Sequence, residues 1–152
     1  MITLKRTNSE DPDLPLLIKQ LDAELAVTDG EDHAFYDQFN KLDRIKNFII
    51  LYQDDLPVGC GALKEYELGI AEVKRMFVKP EYRGKGWASL ILKELELWAA
   101  ELSFQKCILE TGIRQPDAIR LYKKNGYHLI PNYGQYKGVV ESLCFEKALI
   151  TE

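Results

Sequence analysis

Apolar and polar residues alternate from Ile2 to Thr7 (ITLKRT), the two-residue period of a half-buried strand. The period then lengthens. Asp11, Pro12 and Asp13 form a helix-start cluster, and Leu14, Leu17, Ile18, Leu21 and Leu25 recur behind it at helical spacing. The acidic stretch Thr28 to Asp32 (TDGED) ends that run, and HAFYDQFNKLD follows as a short amphipathic helix with Phe35, Tyr36 and Phe39 on or near one face. NFIILYQ reads as a strand. Asp54 to Pro57 (DDLP) turns it back into VGCGALKEY, and the two make an antiparallel hairpin.

A further strand runs from Ala71 to Val78, and its alternation predicts Glu72, Lys74 and Met76 on one face with Val73, Arg75 and Phe77 on the other. The next segment, ASLILKELELWAAEL, sets Leu90, Ile91, Leu95, Trp98 and Leu102 along one helical stripe. KCILET is a buried strand. QPDAIRLYKKNG has Pro at a helix start and Asn-Gly at its stop. YHLI is a strand, PNYGQYKG a turn-rich loop, and ESLCFEKAL a closing strand. The order β-α-α-β-β-β-α-β-α-β-β, antiparallel first and then strand–helix–strand, predicts a mixed sheet with helices on its faces.

Composition narrows the function. The chain has 152 residues, 46% hydrophobic and 29% charged, the size and balance of one compact globular domain spanning 1–152. A net charge of −4 argues against nucleic-acid binding, which wants a basic footprint, and leaves room for a cationic acceptor. Cys60, Cys107 and Cys144 each sit in an apolar stretch and read as free buried thiols in a reducing cytosol. The two histidines, His33 and His128, lie in no recognisable partner motif, and zinc-ligand spacing is absent, so no metal is expected. No segment reads as a signal peptide or a membrane span, and the expectation is a cytoplasmic protein.

The chemistry gathers at VKPEYRGKGWASL, Val78 to Leu90, where a strand runs through two glycines into a long helix. The first turn of a helix leaves backbone N–H groups unpaired and carries the positive end of the dipole. Glycine lets a ligand approach that backbone, and Arg83 and Lys85 add charge, with Arg able to hold phosphate oxygens bidentately. The junction therefore suits a phosphate or pyrophosphate. It is not a dinucleotide fingerprint, because Ser89 stands where a third glycine or alanine belongs, and it lacks the spacing of a P-loop.

Arg83-Gly84-Lys85-Gly86-Trp87-Ala88 fits the pattern Arg/Gln-x-x-Gly-x-Gly/Ala and follows the strand EVKRMFV. Some thirty residues on lies Ala118-Ile119-Arg120-Leu121-Tyr122-Lys123-Lys124-Asn125-Gly126-Tyr127. The pair resembles the two signature motifs of the GCN5-related N-acetyltransferase (GNAT) superfamily, whose members transfer an acyl group from acyl-coenzyme A to an amine. The resemblance implies an α/β (α+β) fold in a single domain, a mixed sheet of about six to seven strands flanked by about four helices. It also implies acetyl-CoA as co-substrate. Arg83, Gly84, Lys85, Gly86, Trp87 and Ala88 would receive the pyrophosphate, and the backbone of Met76, Phe77 and Val78 would receive the pantetheine arm. Gln115 stands where the family often has Asn, as a further cofactor contact.

The same resemblance assigns the chemistry. Glu72, near the start of the central strand, is the candidate base for the acceptor ammonium, and Tyr122 the candidate acid and anchor for the departing thiolate. Structural roles remain open for both: Glu72 paired with a basic neighbour, Tyr122 packed on the sheet. The acceptor is expected between the early helices and the late loop, with Tyr133, Tyr136, Asn132 and Tyr36 as contacts and Asp29, Glu31 and Asp32 as a draw for a cation. The expected partner is a small-molecule amine, with no nucleic acid or membrane, and the protein a monomer or homodimer. Two other readings stay open: a non-catalytic acyl-CoA sensing module, and a protein or peptide N-acetyltransferase.

Overall fold

The computed structural model describes residues 1–29 and 45–149. Seven strands form one sheet: β1 (Ile2–Thr7), β2 (Asn47–Gln53), β3 (Leu56–Glu67), β4 (Ile70–Val78), β5 (Lys106–Gly112), β6 (His128–Ile130) and β7 (Ser142–Ala148). Their order across the sheet is β1-β2-β3-β4-β5-β7-β6. Every neighbouring pair is antiparallel except β4–β5, which is parallel because a helix crosses over between them. Three α-helices lie among the described residues, α1 (Leu14–Asp29), α2 (Trp87–Glu101) and α3 (Pro116–Lys124), with single 3-10 turns at Pro80–Tyr82 and Gly134–Tyr136. The mixed α+β architecture is the one expected. The further short helix expected at HAFYDQFNKLD, with Phe35, Tyr36 and Phe39, lies outside the described residues.

The strand period sorts the core into two layers. On β2, Phe48 and Ile50 face α1, where Leu14, Leu17, Ile18 and Leu21 meet them together with Cys60, Ala62 and Phe77. Ile49 and Leu51 face the other way, onto Ile91, Leu92, Leu95 and Ala99 of α2, in the cluster that also holds Val58, Leu63, Val73 and Tyr122 of α3. Helix α2 lies so close to β3 that a Cβ on Gly61 would stand 2.8 Å from Ile91 and 2.9 Å from Leu95. A side chain there would force Met76, Ile91 and Leu95 to shift, so glycine lets the helix lie this close. At the start of α1, the Asp11 carboxylate accepts the Asp13 N–H (2.9 Å) and the Thr7 hydroxyl (2.8 Å) and pairs with Lys5 (2.8 Å), which fixes how the helix leaves β1.

The alternation predicted along β4 holds as far as Lys74 and then breaks. Cys60 pairs with Phe77 and Ala62 with Lys74, so Arg75 and Met76 together oppose the single residue Gly61. Arg75 takes φ +58° to do this. The extra residue corrects three expectations of the sequence. Phe77 does not share a face with Val73; it packs on the α1 side. Met76 does not share a face with Glu72 and Lys74; it turns to the α2 side, where its sulfur would be 2.7 Å from a Cβ on Gly61. Arg75 does not oppose Lys74; it joins it on the α1 side, its Nη1 donating to Asp22 of that helix at 2.6 Å. No helix among the described residues is long and apolar enough to cross a membrane.

Candidate active site

Strands β4 and β5 are paired at only three positions, Ile70↔Lys106, Ala71↔Cys107 and Glu72↔Ile108. Both run on, β4 to Val78 and β5 to Gly112, with no further pairing between them. Beyond Glu72 the sheet is therefore split. A cleft occupies the split, and β4 lines it with Glu72, Val73, Lys74, Arg75 and Met76. Glu110, Thr111 and Gly112 line it from β5, and Leu21 and Leu25 from α1. Tyr122 of α3, Gln115 at the start of that helix and Tyr136 of the late loop complete the wall. An unpaired strand edge facing a cleft offers main-chain donors and acceptors to an extended ligand.

Of the residues singled out in the sequence, Glu72, Tyr122, Met76, Gln115 and Tyr136 come together in this one cleft although they are spread over 65 positions of chain. Tyr122 is buried, its ring edge-on to Tyr127 (5.9 Å between centroids) and tilted against Phe145 (6.4 Å). Burial, with the negative charge of Glu110 added, raises its phenol well above the ordinary value, so at neutral pH the hydroxyl is a donor. Glu72 is buried too. Its Oε2 accepts the Tyr133 hydroxyl at 2.6 Å and its Oε1 lies 3.8 Å from Lys74 Nζ. Burial and then the Glu72 charge raise the Tyr133 phenol as well. Burial lowers Lys74 below the usual ammonium range in spite of the nearby carboxylates.

The other expected acceptor contacts divide. Tyr136 is buried and stands edge-on to Tyr133 at 5.7 Å. Tyr133 also meets Tyr66 edge-on at 5.1 Å, and its hydroxyl holds Glu72 in the cleft wall. Asn132 donates its amide to the carbonyls of Val139 (2.9 Å) and Ser142 (3.1 Å) and braces the loop. Tyr36, with Glu31 and Asp32, lies outside the described residues, as does the side chain of Asp29. Three charged cleft residues are not assigned to the site by the sequence reading: Lys74, Arg75 and Glu110. The side of the sheet Arg75 takes depends on the bulge, which strict alternation does not announce. Glu110 lies in KCILET, which reads only as a buried strand.

At the far end of β4, Gly84 and Gly86 adopt φ +82° and +80°, a left-handed backbone that other residues enter only at a cost. Gly86 caps α2, and no side chain caps the first-turn amides. A Cβ on either glycine would meet nothing within 4 Å. The turn thus presents open backbone N–H groups at a helix start, which fits a diphosphate. Lys85 Nζ stands over the Trp87 ring at 5.6 Å, and Trp87 stacks on Tyr82 at 6.0 Å. Arg83 is engaged by the fold. Its Nε donates to the Val78 carbonyl (2.7 Å), its Nη2 to both oxygens of Glu24 (3.0 and 2.7 Å), and it lies over the Phe77 ring (5.6 Å). The Phe77 side chain packs on the α1 side, and Val78 in the α2-side core, so along this stretch only backbone is open to a ligand. Among the described residues no group of three or more His, Cys, Asp or Glu is placed to hold a metal.

Comparison with known proteins agrees with this geometry. The model of the acetyltransferase (GNAT) family matches residues 16–127, which contain both motifs and four of the cleft-lining elements. The "IAA acetyltransferase" of Azospirillum brasilense is 31% identical over 150 residues, 97% of this chain and 98% of the relative. A Klebsiella pneumoniae protein assigned as an acyl-CoA N-acyltransferase superposes with a TM-score of 0.83 at 29% identity, over 99% of both chains. The PaiA N-acetyltransferase of Thermoplasma acidophilum, solved in complex with coenzyme A, shares the fold with a TM-score of 0.73 at 21% identity, over 97% of this chain and 99% of that one. With the family model spanning well over half of the residues and the Azospirillum relative nearly all of them, this chain belongs to the GNAT family of N-acetyltransferases.

Proposed function

We propose that the protein transfers the acetyl group of acetyl-CoA to the primary amine of a small molecule, by direct attack while both substrates are bound. The observation that carries this reading is the convergence of Glu72 and Tyr122 on the cleft where β4 and β5 part. Acyl-CoA supplies the thioester whose carbonyl the amine attacks. The amides opening α2 after Gly84 and Gly86 hold its diphosphate, and the free edge of β4 orients its arm.

The chain's own groups then move the protons. An alkyl ammonium has an ordinary pKa of about 10.4 and must lose a proton before it is a nucleophile. Glu72 takes that proton at the carboxylate that Tyr133 holds in place. The Tyr122 hydroxyl donates a hydrogen bond where the thiolate leaves. A phenol held above its ordinary value is a weaker acid than a thiol of about 8.5, so this bond stabilises the thiolate before any proton is transferred. A thiol intermediate on the enzyme is disfavoured. None of the three cysteines lines the cleft, and burial pushes Cys60 and Cys107 up to about 12 and Cys144 up to about 11. Three buried free thiols also suit a reducing compartment, which supports the cytoplasmic location expected from the sequence.

The test is a panel of primary amines with acetyl-CoA, following free thiol and identifying acetylated product by mass. Release that depends on the amine supports the reading. Tight binding of acetyl-CoA with no release on any amine replaces it with a sensing module.

A further inference from the structure

The bulge in β4 has a chemical effect besides opening the sheet. It sets two consecutive cationic residues, Lys74 and Arg75, on the same side, both lining the cleft. Their side chains are only 5% and 4% exposed. Buried cations normally have every donor matched, because an unmatched one loses its hydration without return. Here the matching is incomplete. Lys74 Nζ reaches Glu72 only at 3.8 Å, beyond hydrogen-bond distance, and that carboxylate already accepts Tyr133. Arg75 donates Nη1 to Asp22, but its Nε is buried with no partner. Among the described residues, two cationic side chains in the wall of the cleft thus retain donors without a hydrogen-bond partner.

Arg75 is already ion-paired with Asp22, outside the lining, so the opposite charges that face each other in the wall are Lys74 and Glu72. A bare amine would add an uncompensated positive charge, and a bare carboxylate a negative one. A zwitterion leaves the balance as it is. The spacing is also informative. Lys74 and Glu72 hold opposite charges 3.8 Å apart, which matches the short amine-to-carboxylate span of an α-amino acid. We propose that the acceptor is an α-amino acid or a close analogue, its carboxylate received by Lys74 and Arg75 and its amine directed to Glu72. This rests on the acetyl-transfer reading and adds the class of acceptor to it.

The experiment compares matched pairs at equal acetyl-CoA: phenylalanine with phenethylamine, leucine with isopentylamine, lysine with cadaverine, each amino acid also as its methyl ester. One charge-assisted hydrogen bond to the carboxylate corresponds to a preference of about tenfold or more in kcat/KM. The expected result is that preference in at least one pair, absent for the ester, and carried by KM. Lys74→Met and Arg75→Gln are each expected to bring the ratio down towards one. Wild-type ratios need no variant, so a variant that fails to fold leaves the test intact. Amines and esters that react as well as the amino acids in every pair overturn the proposal, as does a ratio unmoved in both variants when each folds. No thiol release from any member of the panel, with acetyl-CoA still bound, removes the transferase reading itself and this inference with it.

Discussion

Gly86 offers the sharpest separation between a glycine kept for its turn and a glycine kept for a ligand. At φ +80° an alanine costs about 1–2 kcal/mol in backbone strain, and its Cβ meets no protein atom within 4 Å, so no clash adds to that. In a chain of this length each kcal/mol lowers Tm by about 2–4 °C, which gives a fall of about 2–8 °C for Gly86→Ala. Coenzyme A should suffer separately. The new methyl group stands in the open space beside the amides of α2, and losing one charge-assisted bond to the diphosphate, about 1.5–3 kcal/mol, weakens binding roughly 10- to 150-fold. Gly69 supplies the control. Its φ is +81°, and a Cβ there reaches the Gln105 side chain only at an ordinary 3.6 Å, far along the chain from the α2 start. Gly69→Ala should lose stability to a similar degree and bind coenzyme A as the wild type does. Thermal melts and calorimetric titration with coenzyme A read both quantities. Equal affinity for coenzyme A in wild type and Gly86→Ala would refute the reasoning, because the diphosphate would then lie away from these amides.

Three further outcomes are expected. Tyr122→Phe keeps the buried ring and removes the donor, so turnover should fall about 100-fold with acetyl-CoA affinity little changed, as steady-state kinetics and titration would show. Asp11→Asn should cost about 2 kcal/mol at pH 7 by denaturant unfolding. Desolvation pushes the Asp11 carboxyl up, but hydrogen bonds from Lys5, the Asp13 N–H and Thr7 outweigh it and hold it below the ordinary value. A depressed folded value means that the stabilisation is present above the unfolded pKa of about 3.9 and is lost as pH falls through the folded one, so the gap between wild type and variant should close below about pH 4. Finally, the three buried thiols should be silent to a disulfide reagent at pH 7 and all react in denaturant, and a native thiol that titrates quickly would contradict their burial.

Much of the fold was legible because period and burial coincide. The stripe from Leu14 to Leu21 and the stripe from Ile91 to Leu95 are the residues that cover the two faces of the sheet, and strand β2 shows its alternation almost unmixed. The glycine turn was legible for a different reason: two glycines before a long helix have no local benefit, and both carry the positive φ that explains them. Hydrogen-bond partners of side chains were not legible. Arg83 reads as a phosphate ligand from its neighbours in sequence, yet Glu24, 59 positions away, holds its guanidinium. Asn132 reads as an acceptor contact, yet the carbonyls of Val139 and Ser142 take its amide. Such pairings depend on which elements become neighbours, and a periodic pattern carries no information about that.

The bulge at Arg75 is where these two kinds of information meet. A strand that alternated strictly from Glu72 to Val78 would keep Arg75 with Val73 against the apolar α2 layer, where an unpaired guanidinium would cost several kcal/mol. Inserting one residue resolves the conflict at the cost of a left-handed arginine. Lys74 and Arg75 both reach the α1 side, Met76 fills the apolar layer beside Gly61, and Phe77 is carried from the face of Val73 to the α1 core. The parallel pairing to β5 ends at Glu72, three residues before the bulged arginine. Sequence alternation alone contains the conflict, a charged residue due on an apolar face, but not its solution. An alternation that would bury a lone charge in a strand is therefore itself a signal: it marks the place where the backbone departs from the pattern, and in this chain that place is the wall of the cleft between β4 and β5.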